Sequence, residues 1–364
     1  MDIAIVGGGP AGLFLAKLLN REHNISVFEE HKFVGYPVHC TGLVSRDVLQ
    51  YSDKNVILNE IRGAEIHISD ESITLEKKGT AAYVINRAEF DRSFYENSDY
   101  HILTNERIKE IEKKGKKYML KSNKEYISDI VIGADGARSM VRNKIVKKNI
   151  ILLNGIQYAI KNKEYLGEYV QVYLDRKYSE GFFSWIVPRE DDILVGLATY
   201  DSHPMDRMKS FLKKNIKNPE IIEKMAGQIP IGILPEHNKE NIYLTGDAAL
   251  FVKATSGGGL YYGLKGSQIL AECINKGESY KRNLNSMLRE LYKDLWLHRI
   301  FSKMDDKELL KIILKIKEKD LVNVVNEYGD IDNPSIVSKK LIFNRNLIQF
   351  YPIILLNIIK SFLS

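Results

Sequence analysis

Hydrophobic positions along this chain change their spacing several times, and each change predicts a different element. The run DIAIV at residues 2–6 is short and continuous, which predicts a buried strand. GGGPAG follows, and then Leu13, Ala16 and Leu19 fall on one side of a helix. Residues 25–28 (ISVF) predict a second strand. Strand, glycine turn, helix and strand together predict a βαβ unit on a parallel sheet. Between 61 and 85 the period shortens. EIHI, SITL and AAYVI predict short antiparallel strands parted by polar turns. Residues 86–98 predict a helix, and 101–135 predict strands around a KKGKK turn, ending in DIVIGADG. From 150 to 200, ILLNGIQYAI, EYVQVYL, GFFSWIVP and DILVGLAT predict a second antiparallel sheet, with one face available to wall a pocket. NIYLTGDAA, TSGGGL and an apolar helix then repeat the strand–glycine–helix theme over 241–275. Leu284, Met287, Leu291 and Leu295 place amphipathic helices over 281–330.

These elements predict an α/β protein with a discontinuous nucleotide-binding domain over 1–60, 86–150 and 236–280. An antiparallel-sheet substrate domain is expected from 61–85 and 151–235, and a helical region from 281–364. A length of 364 residues suits two interwoven domains. An apolar share of 44% and a charged share of 27% are those of an ordinary globular protein. The net charge of +6 is spread along the chain, with no compact basic run among aromatics, which argues against nucleic acid as a partner. Two cysteines, Cys40 and Cys273, allow at most one disulfide and fit a reducing compartment. The first strand leads straight into a glycine turn, leaving no room for a leader. No run reaches the roughly 20 apolar residues of a membrane span, so a cytoplasmic location is expected. No metal site is expected.

The chemistry starts at Gly7-x-Gly9-Pro10-Ala11-Gly12, which follows a strand and opens a helix. The first glycine permits the tight turn, the second lets a pyrophosphate approach the backbone, and the third lets helix and strand pack closely. Helix N-terminal amides then hold the anion. Glu29 closes the second strand 17 positions after Gly12 (29 minus 12), where a carboxylate accepts hydrogen bonds from ribose hydroxyls. The motif alone does not separate FAD from NAD.

Later segments separate them by resemblance. DIVIGADGARSMVR, with Asp135-Gly136, resembles the second fingerprint of FAD-dependent hydroxylases and geranylgeranyl reductases. NIYLTGDAA, with Gly246-Asp247, resembles the third. Arg87 in INRAEFD resembles the arginine that approaches the cofactor in the same group. Within that superfamily the nearest likeness is to the geranylgeranyl reductases, including the archaeal enzymes that act on digeranylgeranylglycerophospholipids. It rests on GYPVHCTGLVS, on FFSWIVPREDDILVG and on ATSGGGLYYGLKGS. Val187 and Leu194 depart from the usual phenylalanine and asparagine of the second segment. The resemblance implies a Rossmann-like FAD-binding domain of the para-hydroxybenzoate hydroxylase type with an inserted sheet domain. It also implies FAD held through Asp247 at its ribityl chain and through the amides of Gly257, Gly258, Gly259 and Leu260 at its pyrimidine edge.

Saturating an alkene needs a hydride from reduced flavin and a proton for the other carbon. By resemblance, Cys40 is the candidate proton donor or carbocation-stabilising group and also lies against the cofactor, and its neighbour His39 is a candidate substrate contact, with a structural role or partnership with Cys40 as the other readings. Trp185 and Tyr261 are candidates for the substrate channel, ahead of Phe182, Phe183 and Tyr262; Cys273 belongs to the core. The expected substrate is an isoprenoid lipid. The electron donor is open among NADPH, NADH, a deazaflavin and ferredoxin. The charge-free run 346–359, which contains Pro352, is too short to span a bilayer. It suits either peripheral contact with a membrane or a cover over an apolar pocket. The alternative function is a flavin-dependent monooxygenase or halogenase, whose aromatic-x-Trp segment is similar. A non-enzymatic flavin-binding or tRNA-docking protein fits the chain less well.

Overall fold

The structure, a computed structural model, describes residues 1–52, 56–96, 98–161, 167–318 and 322–328. The stretch 346–359 lies outside the described residues.

Asp2–Val6 runs in the middle of a six-stranded sheet. It pairs in parallel with Asn24–Phe28 on one side and Ile130–Gly133 on the other. His101–Leu103 and Ile242–Leu244 extend the parallel sheet outward, and the two-residue strand Asn238–Lys239 closes one edge antiparallel. Ile3, Ile5, Val27, Val131 and Ile132 are buried, as both faces of a parallel sheet require. The helices Pro10–Leu18 and Leu260–Lys276 pack on each other, and Tyr280–Phe301 packs on the second of them. A separate three-stranded antiparallel sheet, Glu110–Lys114, Lys117–Lys121 and Glu125–Ser128, carries the KKGKK turn.

The second large sheet has seven strands. In spatial order they are Glu220–Ile231, Ile151–Lys161, Ile193–Thr199, Ser184–Pro188, Tyr169–Tyr173, Gly63–Ile68 and Glu71–Glu76. It is mixed rather than antiparallel throughout, because Tyr169–Tyr173 pairs in parallel with Gly63–Ile68. The strands expected within 61–85 do not share one sheet either. Ala82–Ile85 pairs instead with Ile57–Ile61 and Leu43–Val44 in a small sheet of its own. Alternation of apolar residues fixes which face of a strand is buried, but not which neighbour it takes.

Ile193–Thr199 is buried along its whole length because both of its faces are covered. Ile193, Val195 and Leu197 face Met208, Phe211 and Leu212 of the helix Pro204–Asn215. Leu194 and Ala198 face the other way, towards the clusters that hold Trp185 and Phe182. At the far edge, Ile68 and Ile73 pack with Ile300, Met304, Leu309, Ile313 and Ile316, so the helix Asp306–Glu318 closes that end of the sheet.

Candidate functional site

The bend at the N-terminus is forced by glycine geometry. Gly7 has φ +110°, and a Cβ there would stand 2.3 Å from the Ala134 carbonyl oxygen. A Cβ on Gly12 would stand 2.2 Å from the Gly7 oxygen. Gly9, the cap of the helix Pro10–Leu18, opens onto free space, and Pro10 begins the helix where a missing N–H costs nothing. The free amides of this first turn face an opening fit for an anion. Glu29 is buried and fixed: one oxygen accepts from Gly8 N at 2.8 Å, and the other from His31 N at 2.8 Å.

Ala11 meets the third fingerprint. A Cβ on Gly246, which has φ +59°, would stand 2.8 Å from the Ala11 Cβ. Ser267 ties the two segments by donating to the Ala11 carbonyl at 2.8 Å. Asp247 follows in the 3₁₀ turn Gly246–Ala249. Burial raises its carboxyl to about 6, with Arg87 and Arg142 working in the opposite direction. A Cβ on Gly259 would stand 2.6 Å from Asp247 Oδ1, so the glycine loop ahead of Leu260 abuts this carboxyl. Gly257 has φ +71°, and Gly257, Gly258 and Gly259 are half-buried at the start of the helix Leu260–Lys276.

Asp135 is turned into its own loop. Its carboxylate accepts from Ser139 Oγ at 2.5 Å, Met140 N at 2.7 Å and Val141 N at 3.2 Å. Arg142 then joins the second fingerprint to the third, donating to Ala137 O at 2.6 Å and Ala248 O at 3.2 Å. Burial lowers the Arg142 pKa, against Asp135 and Asp247.

Arg87 is set by Asp91 one helical turn on, with three N–H···O distances of 3.1–3.2 Å. Burial works against its charge, yet Asp91 and then Cys40 raise its pKa. The guanidinium is bonded to Asp91 and lies near enough to Cys40 and Asp247 for its charge to act on both. Cys40 is half-buried, and its sulfur accepts from Gly42 N at 3.4 Å. His39 is exposed, with its Cβ 3.4 Å from the place a Cβ on Gly227 would take. Desolvation and then His31 lower the His39 pKa, against Glu223.

The wall opposite is the large sheet. Trp185 lies across Gly196, where a Cβ would stand 2.4 Å from the indole. The buried Gln157 presents one oxygen to both Trp185 Nε1 at 3.0 Å and Thr41 Oγ1 at 2.7 Å. The Cys40 loop is thereby tied to the sheet wall. Phe182 and Phe183 stack at 4.2 Å, and Phe183 meets Trp185 edge-on at 5.9 Å. Tyr261 lies apart from these, against the core around the six-stranded sheet, with Lys265 Nζ 3.4 Å from its hydroxyl. Among the described residues no three His, Cys, Asp or Glu side chains group to hold a metal.

Gln157, Arg142 and Lys253 were not singled out in the sequence. Arg142 stands inside the quoted DGARSMVR stretch, so the motif itself carried that signal. Gln157 sits in a largely apolar strand with Asn154 three positions before it, and carries no signal beyond being polar where apolar residues are expected.

Residues 2–324 match the family model described as lycopene cyclase protein. The chain belongs to that family. It is 32% identical to an uncharacterised protein of Methanocaldococcus jannaschii over 94% of each chain. It is 26% identical to the digeranylgeranylglycerophospholipid reductase 2 of Methanococcoides burtonii, over 91% of this chain and 88% of that one. A geranylgeranyl bacteriochlorophyll reductase-like protein of Thermoplasma acidophilum has the same fold, with a TM-score of 0.78 at 19% identity over 99% of this chain and 98% of that one. These likenesses bear out the family resemblance, the α/β fold class and the oxidoreductase class expected from the sequence.

Proposed function

We propose that this protein is an FAD-dependent reductase that saturates carbon–carbon double bonds of geranylgeranyl or related polyprenyl chains, those of membrane ether lipids included. One observation carries the reading: the glycine bend packs against the Gly246-Asp247 turn, and the charge of Arg87 acts on both Asp247 and Cys40. The relatives named digeranylgeranylglycerophospholipid reductases support the substrate class.

The cradle fits a flavin dinucleotide. Gly9 leaves free space beside a helix N-terminus, where the pyrophosphate would rest. Glu29 would take the adenine ribose and Asp247 the ribityl chain. Arg87 and Cys40 would lie against the cofactor, and the amides of Gly257, Gly258, Gly259 and Leu260 would face its pyrimidine edge. Asp135 supports the cradle by holding the 135–141 turn in shape. Bound and reduced, FAD supplies the hydride for one alkene carbon.

The chain's residues do the rest. The Cys40 Sγ–H bond breaks as its proton goes to the other carbon. Arg87, locked by Asp91, offers a positive charge to the sulfur that remains. Gln157 holds Thr41, and with it the Cys40 loop, against the wall. Trp185 and the Phe182–Phe183 stack keep water from that wall and give the polyprenyl chain an apolar surface. Contact of the apolar stretch 341–364 with a membrane belongs to the same proposal, because the substrate is a lipid. No helix among the described residues is long and apolar enough to cross a membrane.

The test is anaerobic. Protein loaded with FAD and reduced by dithionite is mixed with vesicles of digeranylgeranylglyceryl phospholipid, and the lipid is weighed by mass spectrometry. Each saturated bond adds two hydrogens. Product that forms only when oxygen is admitted would overturn the reading in favour of hydroxylation or halogenation. Cys40→Ala should cut turnover by about 10²–10⁴-fold while flavin uptake persists.

A further inference from the structure

A lysine is buried beside the glycine loop that precedes the helix Leu260–Lys276. The cradle can be followed by contact: Ala11 against Gly246, Asp247 against Gly259, and Gly258 against Lys253. Lys253 is 4% exposed, and its backbone closes the loop that precedes the helix Leu260–Lys276. Lys253 N donates to Gly258 O at 3.1 Å, and Gly257 N donates to Lys253 O at 2.8 Å. Its Cε lies 3.0 Å and its Nζ 3.5 Å from the place a Cβ on Gly258 would occupy. The end of the lysine side chain thus packs directly over Gly258.

The neighbouring charge is Asp294, buried on the helix Tyr280–Phe301. It accepts from Thr255 N at 3.1 Å and Thr255 Oγ1 at 2.5 Å. Burial raises the Asp294 pKa, while Thr255 and then Lys253 lower it. Asp294 therefore anchors the loop through Thr255 and faces Lys253 with its charge. Burying an ammonium costs several kcal/mol that an apolar residue would not.

We propose that Lys253 tunes the flavin. Its ammonium, added to the amides that open the helix Leu260–Lys276, stabilises the negative charge on the pyrimidine edge of the reduced ring. This rests on the FAD reading above. Reduction by an external donor brings two electrons and one proton to the ring, and the unbalanced charge stays on that edge. A fixed cation beside it favours the reduced form without reorganisation. The helix dipole alone offers only about half a charge there.

The experiment measures the two-electron reduction potential of the bound flavin against a reference dye in wild-type protein, Lys253→Met and Lys253→Arg. Removing the cation should move the equilibrium at least about tenfold towards oxidised flavin, about 30 mV for a two-electron couple. Sulfite, whose adduct places a negative charge on the same ring, should bind the Met variant about tenfold more weakly, in step with that potential shift. The Arg variant should stay close to wild type in both. A Met variant that loses flavin affinity at an unchanged potential has lost only packing, and that result overturns the proposal. If the Met variant does not fold, the wild-type protein still decides. Its reduced flavin should show the anionic spectrum at mildly acidic pH, and a neutral spectrum overturns the proposal. Failure of the protein to take up FAD at all would instead sink the reading on which this one rests.

Discussion

The two ends of the cradle are built from different material. At the end that holds the glycine bend the work is done by backbone: Gly7 and Gly12 have no room for a Cβ, and Gly8 N donates to Glu29 at 2.8 Å. These parts lie within one βαβ unit of 28 residues between Asp2 and Glu29. At the far end the work is done by side chains from distant segments. Gln157 meets Thr41 across 116 positions and Trp185 across 28. A local backbone device writes its requirement into residue type, since only glycine takes its geometry. A long-range side-chain clamp leaves no such mark, because many polar residues fill a strand position equally well until the partner is known.

The largest expected effect is at the backbone end. Gly7→Ala places a Cβ 2.3 Å from the Ala134 carbonyl at φ +110°, where no flexible side chain can yield. It should cost about 3 kcal/mol or more in urea denaturation and abolish flavin retention. A variant of wild-type stability would mean that the bend is not rigid.

Asp247 comes next. Its carboxyl stands at about 6 in the folded chain against an ordinary 3.8. The folded state therefore binds this proton more tightly than the unfolded one. The stabilisation is full below about pH 4 and is lost as pH rises through about 6. Asp247→Asn stays neutral. In FAD-free protein it should gain on wild type by up to about 3 kcal/mol between about pH 4 and pH 7, read from denaturation midpoints across pH. A difference that does not vary with pH would show that the aspartate is not buried as a charge.

Gln157→Leu tests the side-chain end. It strands the Trp185 N–H and the Thr41 hydroxyl, and should cost about 2 kcal/mol. Turnover should fall in the same variant because the Cys40 loop loses its tie, while flavin affinity holds. If affinity falls as much as turnover, the two ends are not separable. The smallest effect should come from Arg138→Ala. Its bond to Gln228 lies at the exposed rim, and about 0.5 kcal/mol is expected.

Particular residues show how far the sequence could be read. The strand 2–6, the bend and the Gly246-Asp247 turn announce themselves by apolar runs that lead into glycine, and the strand 24–28 by an apolar run that closes on Glu29; the structure has each of them. The strands within 61–85 also announced themselves, but their partners did not. Gly63–Glu76 joined the large sheet, and Ala82–Ile85 joined Ile57–Ile61 and Leu43–Val44. Gly63 shows why. A Cβ there would meet the Leu75 carbonyl at 2.1 Å and the Tyr169 ring at 2.9 Å, so its requirement comes from strands that only the fold brings near. Gly196 is glycine for the same reason, under Trp185.

By itself, then, the order of residues determined the Rossmann-like half: where the bend lies and which carboxylates follow it. Periods of two and 3.6, together with obligatory glycines, are local properties and survive in one dimension. Only the tertiary structure decided that Arg87 faces Cys40, that Gln157 clamps the loop to the wall, and that Lys253 is buried beneath Gly258. Those arrangements depend on the partner each strand and helix finally takes. That choice is made by burial summed over the whole chain and not by any one segment.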